Sequence, residues 1–248
     1  MANTFNPTGL NPVRYLNGAP WNNQLQTYRI RSGYANNIFR GDPVIIGAPT
    51  GGTSGYILSL ADFGGIATSA GYTAFRGQTE GNDTVQNTPI FGVFMGCSYT
   101  NPLGVNPIDP ASPGRQYWPA GTQTLGNVDA IANVIVDPNV VYSIQGDNVT
   151  QTFSYNVLQY AGITFPGFGA TPTNSLVTGS TQTGQSSAFV DMSTLSEVPV
   201  VGSATTALNL RLLNLALGTT APGNQEGAVA NIWEVIIQNH YFVARSPA

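Results

Sequence analysis

The sequence predicts an all-β protein, an antiparallel sandwich or barrel that the chain enters through an extended N-terminal arm. Three observations carry this. Short apolar runs of Val, Ile, Leu and Phe are punctuated throughout by Gly, Pro and Asn, the pattern of many short strands joined by turns. Thr206–Leu217 reads TALNLRLLNLAL, with Leu208, Leu210 and Leu212 alternating with Asn209 and Arg211; a period of two buries one face of a strand. Leu is also a good helix former, so a helix stays open there. Val128–Val136, Asp137-Pro138-Asn139 and Val140–Gln145 read as strand, tight turn and partner strand, the clearest hairpin in the chain.

Taken in order, residues 1–22 form the arm. Pro7, Pro12 and Pro20 interrupt pairing, and Asn3, Asn6, Asn11 and Asn17 with Gly9 and Gly18 favour turns. Phe5, Leu10, Val13, Tyr15, Leu16 and Trp21 are interspersed. A solvated tail has no use for them, so the arm either wraps its own domain or docks on another subunit. Residues 23–147 form a β domain. Asn37–Gly47 is broken at Gly41-Asp42-Pro43, a turn or bulge signal. Thr88–Cys97 is an apolar run in which Gly92 and Gly96 predict bends or close backbone approach. Asn101–Pro119, with five prolines, is a long loop of the kind that makes contacts. Residues 148–248 form a second β-rich region packed on the first, the division falling near Gly146–Asn148; a bend within one domain is the alternative. Here Thr152–Tyr160 is a short helix or an irregular strand, Gly162–Gln185 a loop, and Ser187–Met192 and Ala228–Val243 strands. No repeat of fixed short period is visible.

Composition narrows the function. The 248 residues are 42% hydrophobic and 10% aromatic, enough for a core, but only 8% are charged and the net charge is −4. Soluble domains average roughly 25% charged residues. The surface is therefore Asn, Gln, Thr, Ser and Gly, with little charge repulsion to keep neighbours apart. All eight basic residues are Arg, a residue enriched at interfaces. Scattered arginines on an acidic chain make no phosphate-binding stripe, which disfavours nucleic acid. No apolar run reaches the roughly 20 residues of a membrane span, and Met1–Leu10 has no signal-peptide pattern. Both point to a protein made in a cytoplasm.

The residues that carry chemistry are few. His240 is the single histidine and Cys97 the single cysteine. A metal site needs further ligands at motif spacing, and Cys97 sits in an apolar run that disfavours a thiolate. Asp42, Asp109 and Asp137 each precede proline, which a turn explains. Asp129, Asp137, Asp147 and Asp191 have no spacing that would aim two carboxylates at one cleft. Gly51–Gly55 is Gly-rich like a phosphate cradle, but the chain has no Lys to complete one. No catalytic, metal-binding or cofactor-binding residue is assigned, and no cofactor is expected. The candidate partner-contact residues are Arg14, Tyr15 and Trp21 in the arm and Tyr117 and Trp118 in the loop, because Arg and aromatics dominate interface energetics. Filling the chain's own core is the competing role for Trp21 and Trp118.

The ordered set FRGDPV (Phe39–Val44), IFGVFMGCSYT (Ile90–Thr100), QYWPAG (Gln116–Gly121) and DAIANVIVDPNVVYSIQGD (Asp129–Asp147) resembles a family of tailed-bacteriophage virion proteins, the capsid decoration or cement proteins. TGSTQTGQSSAFVDMST (Thr178–Thr194), LNLRLLNLA (Leu208–Ala216) and WEVIIQNHYF (Trp233–Phe242) continue it in the second half. The resemblance implies an all-β, non-enzymatic structural protein on the capsid exterior. Such a protein is assembled in the host bacterial cytoplasm and bound to the major capsid protein, as a homo-oligomer. The alternative is a tail or adhesin-type module whose polar, aromatic loops recognise host glycans.

Overall fold

The computed structural model describes residues 4–49, 55–63, 72–74, 89–100, 115–147, 156–166, 178–197, 208–216, 224 and 228–243. These residues are built of short strands, mostly antiparallel, as the sequence predicts. Strands β2 (Gln26–Ile30), β4 (Pro43–Pro49), β5 (Tyr56–Ser59), β7 (Gly92–Ser98) and β9 (Ala130–Ile135) join in the order β2-β9-β7-β4-β5. The sheet closes where β5 returns alongside β2, with Arg29 opposite Tyr56. Strand β6 (Tyr72–Ala74) extends the edge of β4 beyond β7.

The second half repeats this plan. Strands β10 (Val140–Gln145), β11 (Tyr160–Thr164), β12 (Phe189–Ser196), β13 (Leu210–Leu215) and β14 (Ile232–Ile237) lie in the order β10-β14-β13-β11-β12. A parallel bridge between Gly146 and Val190 brings β12 back to the end of β10. Named a to e in chain order, the strands of both rings run a-e-d-b-c, and in each the a–c contact is the parallel one. The registers also superimpose. Val134 faces Gln26 and Phe94, and its equivalent Val235 faces Tyr142 and Leu212. Val44 faces Gly92 as Ala161 faces Leu210. Ile57 faces Ile46 as Val190 faces Ile163. Strand d bulges by one residue at the same place in both rings, at Met95 and at Leu213. A bulge bends its strand and tightens the local twist, which helps a short sheet close. In the first ring Gly96 makes this possible: its φ is 140°, and a Cβ there would sit 2.7 Å from the carbonyl oxygen of Arg115.

One continuous apolar core runs through both rings. Trp118, Tyr34, Ile45 and Phe94 fill it on one side, and Tyr142, Trp233 and Phe165 on the other. Between the rings, β3 (Ile38–Phe39) and β8 (Tyr117–Trp118) form a two-stranded ribbon. Backbone hydrogen bonds stitch the halves at two seams. At one, the Arg40 N–H donates to Gly184 and the Ser186 N–H to Arg40; at the other, the Ile90 N–H donates to Asn239 and the Tyr241 N–H to Ile90.

Three sequence expectations are corrected. Strands β9 and β10 do not pair as a hairpin: β9 lies between β2 and β7, and β10 between β1 (Asn11–Tyr15) and β14. The Asp137-Pro138-Asn139 turn carries the chain from one ring to the next, so the change of ring comes before Gly146–Asn148. Strand β10 is buried on both faces through Val140, Val141, Tyr142 and Ile144, whereas β9 buries Ala132 and Val134 on one face and leaves Ile131 on the other 49% exposed; each is an inner strand with two neighbours in its own sheet. Second, Gly162–Thr164 is strand rather than loop, because Ala161, Ile163 and Phe165 supply buried side chains around Gly162. Third, Trp118 presents no surface, being fully buried. Of the helix-or-strand segment Thr152–Tyr160, residues 152–155 lie outside the described residues; the remainder turns through Leu158 at φ 67° into β11. Residues 101–114 of the Pro-rich loop also lie outside them.

Candidate interaction surface

The arm is ordered on its own chain from Thr4 onward. Leu10 is fully buried, and its N–H donates to the Gly41 carbonyl at 2.9 Å. Strand β1 then runs antiparallel along β10, from Asn11 opposite Ser143 to Tyr15 opposite Val140, with a bulge at Val13. Asn17 and Gly18 turn the chain back: the Gly18 N–H donates to Tyr15, the Tyr15 N–H to Ala19, and the Ala19 N–H to Asn17 Oδ1. Turn residues at this spacing are what the sequence supplied.

This architecture brings three of the five candidate contact residues together. Arg14 reaches across β10 to Glu234 of β14, Nη2 to Oε2 at 2.7 Å, so its charge is neutralised within the chain. The Tyr15 hydroxyl donates to Asn22 Oδ1 at 2.7 Å while its ring rests on the core. Trp21 is half-buried against the same core, and its Nε1 has no partner. Beside them Val13 and Leu16 are 42% and 49% exposed. Val13 points outward because its bulge takes it out of the β1–β10 register. The contact candidates drawn from the sequence are only the Arg and the aromatics, although it marks Val13 and Leu16 as apolar residues of the arm. Their signal was present: β-branched and aliphatic side chains in a Pro/Asn segment that is too short for a core of its own.

Tyr117 and Trp118 lie elsewhere, on the ribbon between the rings. Tyr117 is half-exposed and stacks on Phe39 at 5.3 Å. Trp118 donates from Nε1 to the Tyr34 carbonyl at 3.2 Å and meets the Tyr99 ring edge-on at 5.0 Å. Both partners, Tyr34 and Tyr99, come from the first half of the chain.

The chemically versatile groups are spread out. Cys97 is buried, and burial pushes its thiol up to about 12 despite the nearby Arg115 guanidinium. His240 is buried at the other seam, where its Nδ1 accepts the Phe242 N–H at 3.2 Å. Burial pushes the imidazole down to about 4, opposed by the charge of Asp137. His240 bridges to Ile90, seven residues before Cys97 along an extended chain, a separation of about 20 Å. The four aspartates are each engaged locally. Asp129 accepts from the Tyr56 hydroxyl, Asp137 from the Asn139 N–H, Asp147 from the Met192 N–H and Asp191 from the Ser193 N–H. Among the described residues no group of three His, Cys, Asp or Glu is placed to hold a metal ion, and no helix is long and apolar enough to cross a membrane.

Fold and surface together define the class: an all-β chain of two like-wound strand rings with an apolar, charge-neutralised arm surface. Comparison with known proteins finds no family model, no curated protein and no solved structure that matches this chain.

Proposed function

We propose that this protein is a non-enzymatic decoration or cement protein of a bacteriophage head. It would bind the outside of the major capsid protein lattice and stabilise it. The observation that carries the reading is the arm surface. Val13 and Leu16 stand exposed beside Tyr15 and Trp21, while the one adjacent cation is already paired with Glu234. Such a patch gains free energy from apolar burial, at about 25 cal/mol per Å². The chain's low charge, 8% of residues, adds little repulsion against a crowded lattice. Binding of this kind is weakly dependent on salt, since few ions are displaced.

The test uses undecorated heads of the phage that encodes the protein. Val13→Asp and Leu16→Asp place a charge in the patch without touching the core. Co-sedimentation with heads is expected to fall at least tenfold for the double variant, with an unchanged melting temperature. Full occupancy by the double variant, or wild-type binding that collapses between low and high salt, would overturn the reading. Retention on a glycan surface with no binding to heads would favour the host-recognition alternative instead.

A further inference from the structure

We infer that the outer face of β2 and β9, with the turn that leads into β9, is a docking surface for an acidic, aliphatic segment of another protein. This surface belongs to the first ring, whereas the arm patch lies on β10 of the second. Nothing here rests on the capsid reading. Arg29 of β2 stands opposite Ile131 of β9, and Ile131 has Ser98 of β7 on its other side. Ile131 points away from the core and is half-exposed. The turn sits against the end of the same strands. The Leu125 N–H donates to the Thr100 carbonyl at 2.9 Å, just past β7, and the Val128 N–H donates back to Leu125. Gly126 and Asn127 make the turn, with left-handed φ of 67° and 56°. It needs nothing from the side chains that flank it, yet these are aliphatic, and Leu125 and Val128 are 55% and 69% exposed. Single exposed aliphatic residues are ordinary, but a cluster marks an interaction site.

Charge decides what fits it. Arg31 follows directly after β2 and is exposed. The charges that act on the Tyr56 hydroxyl are those of Arg29, Arg31 and Asp129, which places the three together. Tyr56 donates to Asp129 Oδ2 at 3.1 Å, and Arg29 Nη1 is 3.7 Å from the same oxygen. The Arg29 side chain is 74% exposed, so water screens that long pair. One carboxylate against two guanidiniums leaves this face positive, on a chain whose net charge is −4. At the arm, by contrast, Glu234 neutralises Arg14. A guanidinium matches a carboxylate in shape and charge, while two arginines are too few to follow a phosphate backbone. The complement is therefore a carboxylate carried beside an apolar side chain. Arg29 and Ile131 lie about 5 Å apart as cross-strand neighbours. An extended segment presents alternate side chains on one face about 7 Å apart, so a single strand of the partner reaches both.

The full chain is titrated with a short capped peptide, Leu-Ser-Glu-Ser-Leu-Ser-Glu, and with versions carrying Gln or Lys in place of Glu, and binding is followed by backbone amide NMR shifts. The Glu peptide is expected to bind about fivefold tighter than the Gln peptide, the size of exposed ion-pair effects, and to lose that advantage in high salt. The shifts should fall at residues 29–31 and 125–131. Arg31→Glu turns the face negative and should reverse the preference, favouring the Lys peptide. Should that variant melt lower than wild type, Arg31→Gln carries the same test by abolishing the preference. Leu125→Ser with Val128→Ser should weaken all three peptides, and Leu16→Asp on the arm should change none. A wild type that binds none of the peptides overturns the inference. So does a Glu peptide held no better than the Gln one, shifts confined to other residues, or a preference that Arg31→Glu leaves intact. Binding to phosphatidylglycerol vesicles in place of the Glu peptide would mark a lipid-facing surface and overturn it too.

Discussion

The carboxylate of Asp42, on the turn into β4 of the first ring, is buried against the hydroxyl of Ser186 from the segment leading into β12 of the second. The Asp42 side chain is fully inaccessible; Oδ2 accepts the Phe39 N–H at 2.8 Å, and Oδ1 has no partner. Burial pushes this carboxyl up to about 7, against the opposing hydrogen bonds from Ser186 and Phe39. The group is therefore held protonated in the folded chain well above the pH at which it ionises when unfolded. Between about pH 4 and 7 the native state binds the extra proton, so stability falls as pH rises through that window, by up to about 1.4 kcal/mol per pH unit, and levels off above it. Asp42→Asn removes this titration. Urea melts at several pH values should show the variant gaining on wild type from pH 4 to 7 and keeping its advantage above. A constant difference across pH would show that the carboxyl is ionised in place.

His240 gives the opposite slope. Its imidazole is depressed to about 4 by burial, so the unfolded chain takes up the proton first, from pH 6.5 downward. Stability from this site is fully present above about pH 6.5 and is lost as pH falls toward 4. His240→Asn offers a carbonyl oxygen as the acceptor for the Phe242 N–H and does not titrate. Its acid limb should be shallower than wild type by the contribution of one proton, read from the same urea melts.

What the sequence made legible was local. Period-two alternation and the turn at Asn17–Gly18 need only neighbouring residues: the turn appears as read, and the alternation holds from Leu210 through Leu212, while Asn209, just ahead of the strand, is buried rather than on an outer face. The ring duplication was hidden because its equivalences are ones of position and not of identity. Val134 and Val235 match, as do Ile46 and Ile163, but Ala132 stands where Trp233 does, and Gly92 where Leu210 does. The connections also differ in length between halves, so no fixed period survives. The β9–β10 hairpin failed for a related reason. Asp-Pro-Asn marks a reversal of the chain, but whether the next strand pairs with the last is decided by which sheet buries it. Of the contact candidates, Arg14, Tyr15 and Trp21 do gather, since they are close in sequence. Trp118 could not be told from a surface anchor until Tyr34 was seen beneath it.

That distinction predicts different mutational costs on one two-residue strand. Trp118 is fully buried, with its indole N–H on Tyr34, so Trp118→Ala should cost about 3–5 kcal/mol through the cavity it leaves. Tyr117 is half-exposed, with one stacked partner in Phe39. Tyr117→Ala should cost about 1 kcal/mol. Chemical denaturation of both variants checks this. Equal costs would mean that the ribbon behaves as a unit and that the contact geometry does not set the energetics.

The arm offers a final separation, between charge and burial as the force that seats β1. The Arg14–Glu234 pair is short at 2.7 Å, but the arginine side chain keeps 32% of its exposure. Solvent screens such a pair, and coupling energies for exposed ion pairs are about 0.2–1 kcal/mol. Burial contributes more: Leu10 is wholly enclosed, and β1 covers the edge at Val140 and Val141, which are themselves buried. A double-mutant cycle on Arg14→Ala and Glu234→Gln should therefore return a coupling of no more than about 1 kcal/mol, reduced further by added salt. Leu10→Ala, in contrast, should cost about 2–5 kcal/mol and leave amide exchange in Val140–Ser143 faster than in wild type. If the cycle gave the larger value, the arm would be an electrostatic latch. Its exposed face would then be expected to open at high salt, taking Val13 and Leu16 with it.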